Sequence, residues 1–361
     1  MTLPIRPSEM CDELRKTVLG QDEATREIAV AIVKHVAGQG GDNILLIGNS
    51  GSGKTTLMRA VEQVLRNRAD LARYSNVVRI NANVLAEARE GYGRSVLTRL
   101  YANAQKALGP AAPVDELLHW VERGIVFIDE VDKIRANVGE SANVKGIVAQ
   151  EALLTLMENE NVEFEIETPE RRTVSINSSQ ILFVAGGAFE DMYDSVYRRA
   201  VLGTDSAPLK PMVVVSSTGV VREETTFHLR DYMKYDDLFR YGMTPQFVSR
   251  FESVVVLRDL GEDELAKIFI EPEGSVFRRS RAWFAKFDLD LQITRGAMKM
   301  IAWEAARQKR LGARALKEVW RRVIRDAEFE PAAANLTKGP DGRGVLTVDE
   351  GMVKRVVGGH G

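Results

Sequence analysis

Eight consecutive residues near the start of the chain have the pattern of a phosphate-binding loop. They match G-x-x-x-x-G-K-[ST] and read, in order, Gly48, Asn49, Ser50, Gly51, Ser52, Gly53, Lys54 and Thr55. An apolar run at 43–47 precedes them and a helical pattern begins at Thr56. We therefore expect a buried strand, a glycine-rich turn and a helix N-terminus whose backbone N–H groups bind phosphate oxygens. An ordinary glycine-rich turn is the alternative, and the flanking patterns argue against it.

The types of the last residues in this motif predict specific contacts with a nucleotide. The Lys54 ammonium would reach the β- and γ-phosphates, and the Thr55 hydroxyl would coordinate Mg²⁺. Thr56 follows directly in the helix, and we count it among the nucleotide-binding residues. The motif thus predicts that the chain binds ATP together with Mg²⁺.

A second motif supplies acidic groups. The apolar run at 125–128 ends in Asp129 and Glu130, with Asp132 and Lys133 close behind. At the end of such a strand Asp129 can hold Mg²⁺ through water, and Glu130 can act as the general base that polarises the attacking water. Alone this pattern is weak, because many buried strands end in an acidic turn. Downstream of a phosphate-binding loop it predicts the second half of an ATPase site.

The elements that must position these motifs follow from the apolar pattern. Residues 1–17 read as a short N-terminal arm, 18–257 as a large α/β domain, and 258–361 as a smaller, mainly helical domain. Apolar runs alternating with helical patterns predict a parallel sheet flanked by helices. The expected core strands lie at 43–47, 76–81, 125–129, 181–185 and 253–257. Nucleotide should bind at their carboxyl ends.

Shorter elements are expected outside the predicted core. Strict alternation at 162–167 predicts a strand with one acidic face, paired with 173–176. Residues 259–262 read as a turn and hinge, and two amphipathic helices should follow, one through Met298, Ile301, Ala302 and Ala305 and the other over 316–327. Residues 335–342 read as a loop, 345–348 as a strand, and 353–357 as a short helix or second strand.

The composition limits the classes of partner. The chain has 361 residues, 45% hydrophobic and 28% charged, with a net charge of −2, so a generally nucleic-acid-binding surface is not expected. Its single cysteine, Cys11, excludes an internal disulfide or a multi-cysteine zinc site. No apolar run approaches the roughly 20 residues needed to cross a bilayer, and the N-terminus lacks a signal-peptide pattern. We therefore expect a cytoplasmic protein without membrane contact.

Several segments resemble AAA+ ATPases of the ClpX type, in the order in which that family carries them. They are 18–21 (Val-Leu-Gly-Gln), the phosphate-binding loop, 124–134 (Gly-Ile-Val-Phe-Ile-Asp-Glu-Val-Asp-Lys-Ile), 150–158 (Gln-Glu-Ala-Leu-Leu-Thr-Leu-Met-Glu), 181–189 (Ile-Leu-Phe-Val-Ala-Gly-Gly-Ala-Phe), 241–251 (Tyr-Gly-Met-Thr-Pro-Gln-Phe-Val-Ser-Arg-Phe) and 311–316 (Leu-Gly-Ala-Arg-Ala-Leu). The resemblance covers about residues 14–350. It implies an AAA+ P-loop NTPase with a large α/β domain and a small helical one.

The resemblance also implies roles for individual residues. Val18 and Leu19 would line the adenine pocket. Arg250 would be the arginine finger that a neighbouring subunit supplies to the γ-phosphate, which requires a ring; a surface salt bridge is the alternative. Arg314 would be the sensor-2 arginine that contacts ATP from the small domain; a solvated basic face is the alternative. The strand at 181–185 ends without a polar side chain, so we assign no sensor-1 residue.

The segment Gly91-Tyr92-Gly93 lies between the two ATPase motifs. In ClpX-type proteins an aromatic residue flanked by glycines at this point forms a pore loop that grips a threaded polypeptide. An aromatic ring can grip varied side chains by contact area and stacking, and glycines let a loop move. The sequence departs from the family's G-Y-V-G, because Gly93 follows Tyr92 directly. A glycine turn with a surface tyrosine is the alternative.

Three departures from ClpX concern partners. ClpX proteins usually begin with a four-cysteine zinc module, which this sequence lacks. They also carry an Ile/Leu-Gly-Phe tripeptide that docks a peptidase, and none occurs between Phe189 and Tyr241. The nearest substitute, at 201–204, has no aromatic residue. The hairpin expected at 162–176 is acidic where that of ClpX is basic, which would mean either an altered substrate preference or merely a solvated hairpin.

The motifs and the resemblance together favour an ATP-dependent protein unfoldase that threads polypeptide through a homohexameric ring. The alternative is an ATP-switched ring scaffold that recruits an effector without threading. A nucleic-acid-handling ATPase is a weaker third option, given the net charge. We expect no productive complex with a standard ClpP peptidase; a dedicated effector could instead dock on the aromatic-rich loops between Phe189 and Tyr241, unless these pack locally.

Overall fold

The computed structural model describes residues 3–40, 42–87, 94–109, 111–139, 141–158, 161–166, 172–201, 211–215, 221–225, 227–308, 310–331, 336–339 and 342–357. The chain forms two compact units. The first comprises Met1–Leu14, Glu23–Gly48 and Lys54–Arg258, and the second comprises Arg15–Asp22, Asn49–Gly53 and Asp259–Gly361. The predicted pore loop, Gly91, Tyr92 and Gly93, lies outside the described residues.

The first unit contains eleven of the described helices and eleven of the described strands. The helices are α1 (Pro7–Arg15), α2 (Asp22–Val36), α3 (Lys54–Asn67), α4 (Ala82–Glu87), α5 (Arg94–Leu108), α6 (Val114–Glu122), α7 (Val144–Glu158), α8 (Glu190–Val201), α9 (Leu229–Tyr232), α10 (Tyr235–Tyr241) and α11 (Pro245–Val248). The strands are β1 (Ile44–Ile47), β2 (Val77–Asn81), β3 (Ile125–Asp129), β4 (Asn137–Val138), β5 (Ser141–Ala142), β6 (Val162–Ile166), β7 (Arg172–Ile176), β8 (Leu182–Gly187), β9 (Pro211–Val215), β10 (Val221–Thr225) and β11 (Ser253–Val256).

Five of these strands form the central sheet, in the order β11-β1-β8-β3-β2. All four neighbouring pairs run parallel, which confirms the predicted α/β fold. Every residue of β1 and β8 is buried, because helices cover both faces of such a sheet and uninterrupted apolar runs are the sequences that fit there. The register places Asn81 of β2 beside Asp129 of β3. The carboxyl ends of neighbouring strands therefore meet at one edge, where the acidic motif lies.

The hairpin predicted by alternation is present. Strands β6 and β7 pair antiparallel, with Phe164 opposite Val174. Phe164 and Val174 are buried in the core, while Glu163 and Glu165 are exposed. The alternating pattern thus separates an apolar face that packs on the unit from an acidic face in solvent.

Aromatic residues from the stretch between Phe189 and Tyr241 pack on one another. The ring of Phe227 lies 5.3 Å from that of Tyr193, 5.2 Å from Tyr197 and 5.5 Å from Tyr232. Phe227 and Tyr232 are buried, whereas Tyr197 is 46% exposed. Within the described residues, this cluster contributes mainly to the core of the first unit.

The N-terminal segment differs from the arm that the sequence suggested. Residues 7–15 form helix α1, with Met10, Cys11 and Leu14 buried, and Ile5 is buried before it. Their spacing gives one apolar face, which the short length of the segment concealed. Among the described residues, no helix combines the length and apolar character that crossing a membrane requires.

The second unit contains the helices α12 (Glu262–Ile270), α13 (Val276–Phe284), α14 (Arg295–Arg307), α15 (Ala313–Phe329) and α16 (Glu350–Val357), and the strands β12 (Leu289–Ile293), β13 (Leu336–Lys338) and β14 (Gly344–Val348). The predicted amphipathic helices are confirmed as α14 and α15, whose apolar faces are buried. Residues 353–357, for which the sequence predicted a short helix or a second strand, are helical and belong to α16.

A small sheet in the second unit was only partly predicted. Strand β14 lies between β12, to which it is parallel, and β13, to which it is antiparallel. The expectation that 335–342 is entirely a loop was wrong, because β13 occupies its first part. All three residues of β13 are exposed, so the strand depends on backbone pairing with β14 and leaves no apolar pattern in the sequence.

Candidate active site

The phosphate-binding motif follows β1, and its final residues open α3. Gly48 N–H donates to the Gly187 carbonyl oxygen at 3.2 Å, which fixes the start of the loop against β8. Lys54 is the first residue of α3 and is buried. Its Nζ donates to the Gly48 carbonyl oxygen. The ammonium group is thus held at the N-terminal end of a helix, where phosphate oxygens bind favourably.

The next residue joins the two predicted motifs. Thr55 Oγ1 donates to Asp129 Oδ2 at 3.1 Å, and the other oxygen of Asp129 accepts from Glu130 N–H at 2.9 Å. Thr55 is half-buried and Thr56 is exposed. The two oxygen groups predicted to serve Mg²⁺ therefore lie within hydrogen-bond distance of each other.

The carboxylate of Glu130 is held by two asparagines that the sequence analysis missed. Asn81 Nδ2 donates to Glu130 Oε2 at 2.7 Å, and Asn83 Nδ2 donates to the same oxygen at 3.3 Å. Asn83 N–H in turn donates to Asn81 Oδ1 at 2.9 Å. Because β2 is the neighbour of β3, the asparagine that ends β2 comes beside the acidic motif. The sequence does not show which strands are neighbours, so the contact between Asn81 and Glu130 could not be predicted from it.

The backbone of Glu130 adopts a left-handed conformation, with φ of 58°. This conformation is uncommon for residues other than glycine and costs of order 1–3 kcal/mol. It ends the strand abruptly and begins the short 3₁₀ turn Val131–Lys133. Asp129 is thus the last residue of β3, and Glu130 stands between the strand and the turn.

The end of β8 explains why no sensor-1 side chain could be assigned. A side chain at Gly187 would place its Cβ only 2.6 Å from the Phe189 ring and 2.9 Å from Asp132 Oδ1. Asp132 is buried, accepts from Ala188 N–H at 3.1 Å and lies 3.0 Å from Lys133 Nζ. The hydrogen bond that Lys133 donates to Asp132 raises the pKa of Lys133. Close packing of the acidic turn therefore requires small residues here.

The middle of the phosphate-binding motif, residues 49–53, belongs to the second unit, where it packs against the start of α15. Ala313 N–H donates to the Gly51 carbonyl oxygen at 3.1 Å, and Arg314 Nη1 donates to Ser50 Oγ at 2.5 Å. Gly51 has φ of 74°, and a Cβ there would lie 2.2 Å from the Leu311 carbonyl oxygen. Only glycine permits this approach, and the predicted sensor-2 arginine reaches the loop itself.

Further hydrogen bonds in the second unit hold the backbone and side chains of the loop. Gln21 Nε2 donates to the Ser52 carbonyl oxygen at 2.9 Å, and Asn49 Nδ2 donates to Asp259 Oδ1 at 2.8 Å. Val18 is buried and Leu19 is half-buried, which suits residues predicted to contact an adenine ring. Gln21 was not predicted as a site residue, although it lies next to Val18 and Leu19 in the segment that the resemblance identified.

Two observations test whether these residues fit ATP and Mg²⁺. Ser52 Oγ is buried and has no hydrogen-bond partner among the described residues, so a phosphate oxygen would satisfy a hydroxyl that is otherwise unpaired. Within the described residues no group of three or more His, Cys, Asp or Glu side chains could hold a metal. A site with Thr55, Asp129, phosphates and waters as ligands is the kind that Mg²⁺ uses. The residues fit both groups.

Arg250 lies beyond α11 in the first unit. Its guanidinium group forms an ion pair with Glu158, the last residue of α7, and the two side chains are 43% and 36% exposed. Its backbone oxygen accepts from Asn43 Nδ2 at 3.1 Å, and Asn43 Oδ1 accepts from Phe183 N–H at 2.9 Å. The backbone of Arg250 is therefore fixed to the central sheet, while its charged end stays accessible.

Comparison with known proteins decides the family. The model of the AAA domain (Cdc48 subfamily) matches residues 41–254. The chain belongs to the AAA family. It is also 28% identical to the ATP-dependent Clp protease ATP-binding subunit ClpX of Treponema denticola, over 96% of this chain and 81% of that protein. The proteins of the same name from Borrelia duttonii and Borrelia recurrentis are each 29% identical, over 92% of this chain and 76% of theirs.

The AAA match and the ClpX similarities confirm the resemblance found in the sequence. The chain is a ClpX-like AAA+ ATPase, and it belongs with the ATPase chaperones of the Clp type. The AAA match ends at residue 254, whereas the similarity to ClpX extends over nearly the whole chain. The second unit, with Arg314 and α15, is thus part of what this AAA protein shares with ClpX.

Proposed function

We propose that this protein is an ATP-dependent unfoldase that remodels polypeptides by threading them through a homohexameric ring. The similarity to ClpX is the observation that supports the proposal most, because it covers 96% of this chain and so spans both units. Within the first unit, the acidic motif has Asp129 and Glu130 side by side, with Glu130 N–H donating to Asp129 Oδ1. The proposal rests on this breadth of similarity together with the geometry of the site.

ATP would occupy the phosphate-binding loop from Gly48 to Thr56. The N–H groups of the loop and the ammonium of Lys54 would bind the phosphates, Val18 and Leu19 would contact adenine, and Arg314 would exchange Ser50 for a phosphate oxygen. Mg²⁺, held by Thr55 and Asp129, would neutralise charge on the phosphates when bound. The hydrogen bond from Thr55 to Asp129 marks the place where that exchange would occur.

Glu130 would act as the general base. Its carboxylate takes a proton from a water molecule as the water oxygen attacks the γ-phosphorus, and the bond to the β-phosphate oxygen breaks to leave ADP. The bonds from Asn81 and Asn83 hold one carboxylate oxygen, Oε2, which leaves Oε1 available to the water. Arg250 of a neighbouring subunit would stabilise the charge that develops on the γ-phosphate.

The proposed ring would grip substrate through Tyr92. An aromatic side chain binds unrelated sequences by area and stacking, which suits an unfoldase with varied substrates. The absence of an Ile/Leu-Gly-Phe tripeptide between Phe189 and Tyr241 supports a further part of the proposal. The protein would act without a standard ClpP peptidase, alone or with a dedicated effector.

A substrate-stimulated assay tests the proposal. We expect unfolded polypeptide, but not DNA, to raise ATP turnover, and we expect ATP-dependent unfolding of a tagged folded protein. Lys54→Ala should abolish both activities by removing the charge that binds the phosphates. Tyr92→Ala should keep basal ATP turnover and lose unfolding, and Tyr235→Ala, at a tyrosine that is 56% exposed, serves as the matched control.

Three outcomes would overturn parts of the proposal. Equal unfolding by Tyr92→Ala and the parent protein would remove the role of Tyr92 in gripping substrate. Turnover that responds to neither polypeptide nor DNA, with no unfolding, would favour an ATP-switched ring scaffold. Robust ATP-dependent proteolysis on addition of ClpP would refute the expectation of a different effector.

A further inference from the structure

A buried glutamine in α7 joins the acidic turn to the segment that carries Arg250. Gln150 is 1% exposed. Its Nε2 donates to the carbonyl oxygens of Ile134, at 2.7 Å, and Gly242, at 3.0 Å. Its Oε1 accepts from Thr244 N–H at 2.8 Å and from Thr244 Oγ1 at 3.0 Å. Two donors and two acceptor positions are all that an amide offers, so the side chain is fully paired and has one orientation.

Three of these four bonds go to residues just before Arg250. Thr244 is the N-cap of α11, and its Oγ1 also accepts from Phe247 N–H at 3.4 Å. Arg250 N–H donates to the Phe247 carbonyl oxygen at 3.2 Å. Gln150 therefore fixes the N-cap of a short helix, and the end of that helix determines where the Arg250 backbone lies.

Helix α7 contacts the same two regions at other points. A Cβ at Gly146 would lie 1.9 Å from the Arg135 carbonyl oxygen, so the helix backbone lies directly against the residue that follows Ile134. At the other end of the helix, Glu158 pairs with Arg250. A four-turn helix thus sets the distance between the acidic turn and the arginine, and Gln150 is its buried polar contact with both.

We propose that Gln150 is a positioning residue for ATP hydrolysis, acting in the neighbouring subunit's site by placing Arg250. This inference rests on the proposed role of Arg250 as a finger supplied across the ring. Gln150 would contact neither nucleotide nor water. Replacing Gln150 would slow hydrolysis in the neighbouring site, which uses the Arg250 of the altered subunit. It would not slow hydrolysis in the altered subunit's own site, which uses that subunit's Glu130.

Gln150→Met is the direct test, because methionine has a similar length and shape but cannot pair with Gly242 or Thr244. We expect kcat to fall by about 10–100-fold, the order of loss for a misplaced catalytic group, with unchanged ATP affinity. Gln63→Met makes the same chemical change at an exposed position of α3 and should match the parent. Thr244→Val removes one of the four bonds together with the N-cap bond from Phe247 N–H, and it should also lower kcat while the buried Gln150 stays in place.

Mixed rings distinguish positioning of Arg250 from a local effect on the acidic turn. Mixing Gln150→Met with Glu130→Gln subunits should restore turnover, because an intact Glu130 then meets an Arg250 placed by an intact Gln150. Mixing Gln150→Met with Arg250→Ala subunits should not restore it. The reverse pattern would overturn the inference, because it would show that Gln150 acts on its own Glu130, as would parent-like kcat in both Gln150→Met and Thr244→Val.

A third mixture separates this inference from the proposed function. Arg250→Ala with Glu130→Gln subunits should regain turnover if the finger acts across the ring. If that control regains turnover and the Gln150→Met mixture with Glu130→Gln does not, the positioning role of Gln150 is refuted and the finger stands. If the control fails in verified mixed rings, the finger itself is refuted, and with it the role of Gln150.

Discussion

Replacing Arg250 should remove activity at little cost in stability. In the described structure its ion pair with Glu158 joins side chains that are 43% and 36% exposed. Such surface pairs contribute about 0–1 kcal/mol to folding. We therefore expect Arg250→Ala to lower the melting temperature by no more than roughly 2–4 °C, the shift that 1 kcal/mol causes in a unit of this size.

The catalytic loss should be far larger than the loss of stability. An arginine finger contributes about 10³–10⁵-fold to turnover, which corresponds to roughly 4–7 kcal/mol of transition-state stabilisation. Arg250→Ala should bind ATP as the parent does, because the guanidinium completes the site of a neighbour and not the site of its own chain. The two magnitudes differ enough to be separated in one set of measurements.

Arg199 provides a matched arginine with the opposite expectation. Its side chain is only 20% exposed, and its partner Asp237 is 5% exposed. Arg199 Nη2 donates to Asp237 Oδ2 at 3.0 Å and to the Tyr232 carbonyl oxygen at 2.7 Å. Removing one partner of a buried pair costs about 3–5 kcal/mol. Arg199→Ala should therefore lower the melting temperature by about 6–20 °C.

Thermal unfolding and steady-state ATP turnover, measured on both variants under ATP, check the comparison. We expect Arg250→Ala to be stable and inactive, and Arg199→Ala to be unstable with a folded fraction that turns over ATP. A melting temperature for Arg250→Ala as low as that of Arg199→Ala would refute this expectation, because Arg250 would then be a structural residue. Parent-like turnover by Arg250→Ala would refute it equally.

Three further predictions concern the base, the loop and acid stability. Glu130→Gln should bind ATP yet turn over at least about 100-fold more slowly, because general-base catalysis contributes roughly 10²–10⁴-fold; near-parent turnover would show that another group is the base. Gly312→Ala should lower stability by about 1–3 kcal/mol, because Gly312 has φ of 47° and its Cβ would lie 2.8 Å from the Gly51 carbonyl oxygen; unchanged unfolding would contradict this. Burial opposes ionisation of Asp237, but hydrogen bonds from Arg199 and from Lys234 N–H outweigh it and lower its pKa. The stability that this carboxylate adds is therefore present above its unfolded pKa of about 3.9 and lost as the pH falls further. Asp237→Asn should have a flatter acid-unfolding curve between about pH 5 and 2, and an identical curve would refute the assignment.

Most of the sheet was predictable because most of its strands are apolar runs; in β2 the exposed Arg79 interrupts the run. Such runs are required where helices cover both faces, so the sequences of β1 and β3 are themselves the signal. The small sheet of the second unit lacks that signal. In β12 only Leu291 is buried, and in β13 no residue is. Pairing there depends on the backbone, which the residue types do not report.

The residues of the candidate site were likewise predictable only in part. Thr55, Asp129 and Glu130 were predictable, because each belongs to a motif whose spacing carries a mechanism. Asn81 was not, because its contact with Glu130 exists only through the adjacency of β2 and β3. An asparagine at a strand end is also a common turn residue, so its type alone gave no reason to choose it. Long-range neighbours, and not local pattern, were the missing information.

The polar contacts of the loop indicate which hydrogen bonds a bound nucleotide would have to replace. Lys54 Nζ donates to the Gly48 carbonyl oxygen, and Arg314 Nη1 donates to Ser50 Oγ. Each cation must exchange a protein oxygen for a phosphate oxygen, so its net contribution to affinity is the difference between two hydrogen bonds. A phosphate oxygen carries more negative charge than a carbonyl or hydroxyl oxygen, so it attracts a cationic donor more strongly. We therefore expect the exchange to favour ATP, because each cation would gain the more strongly charged of the two oxygens as its partner.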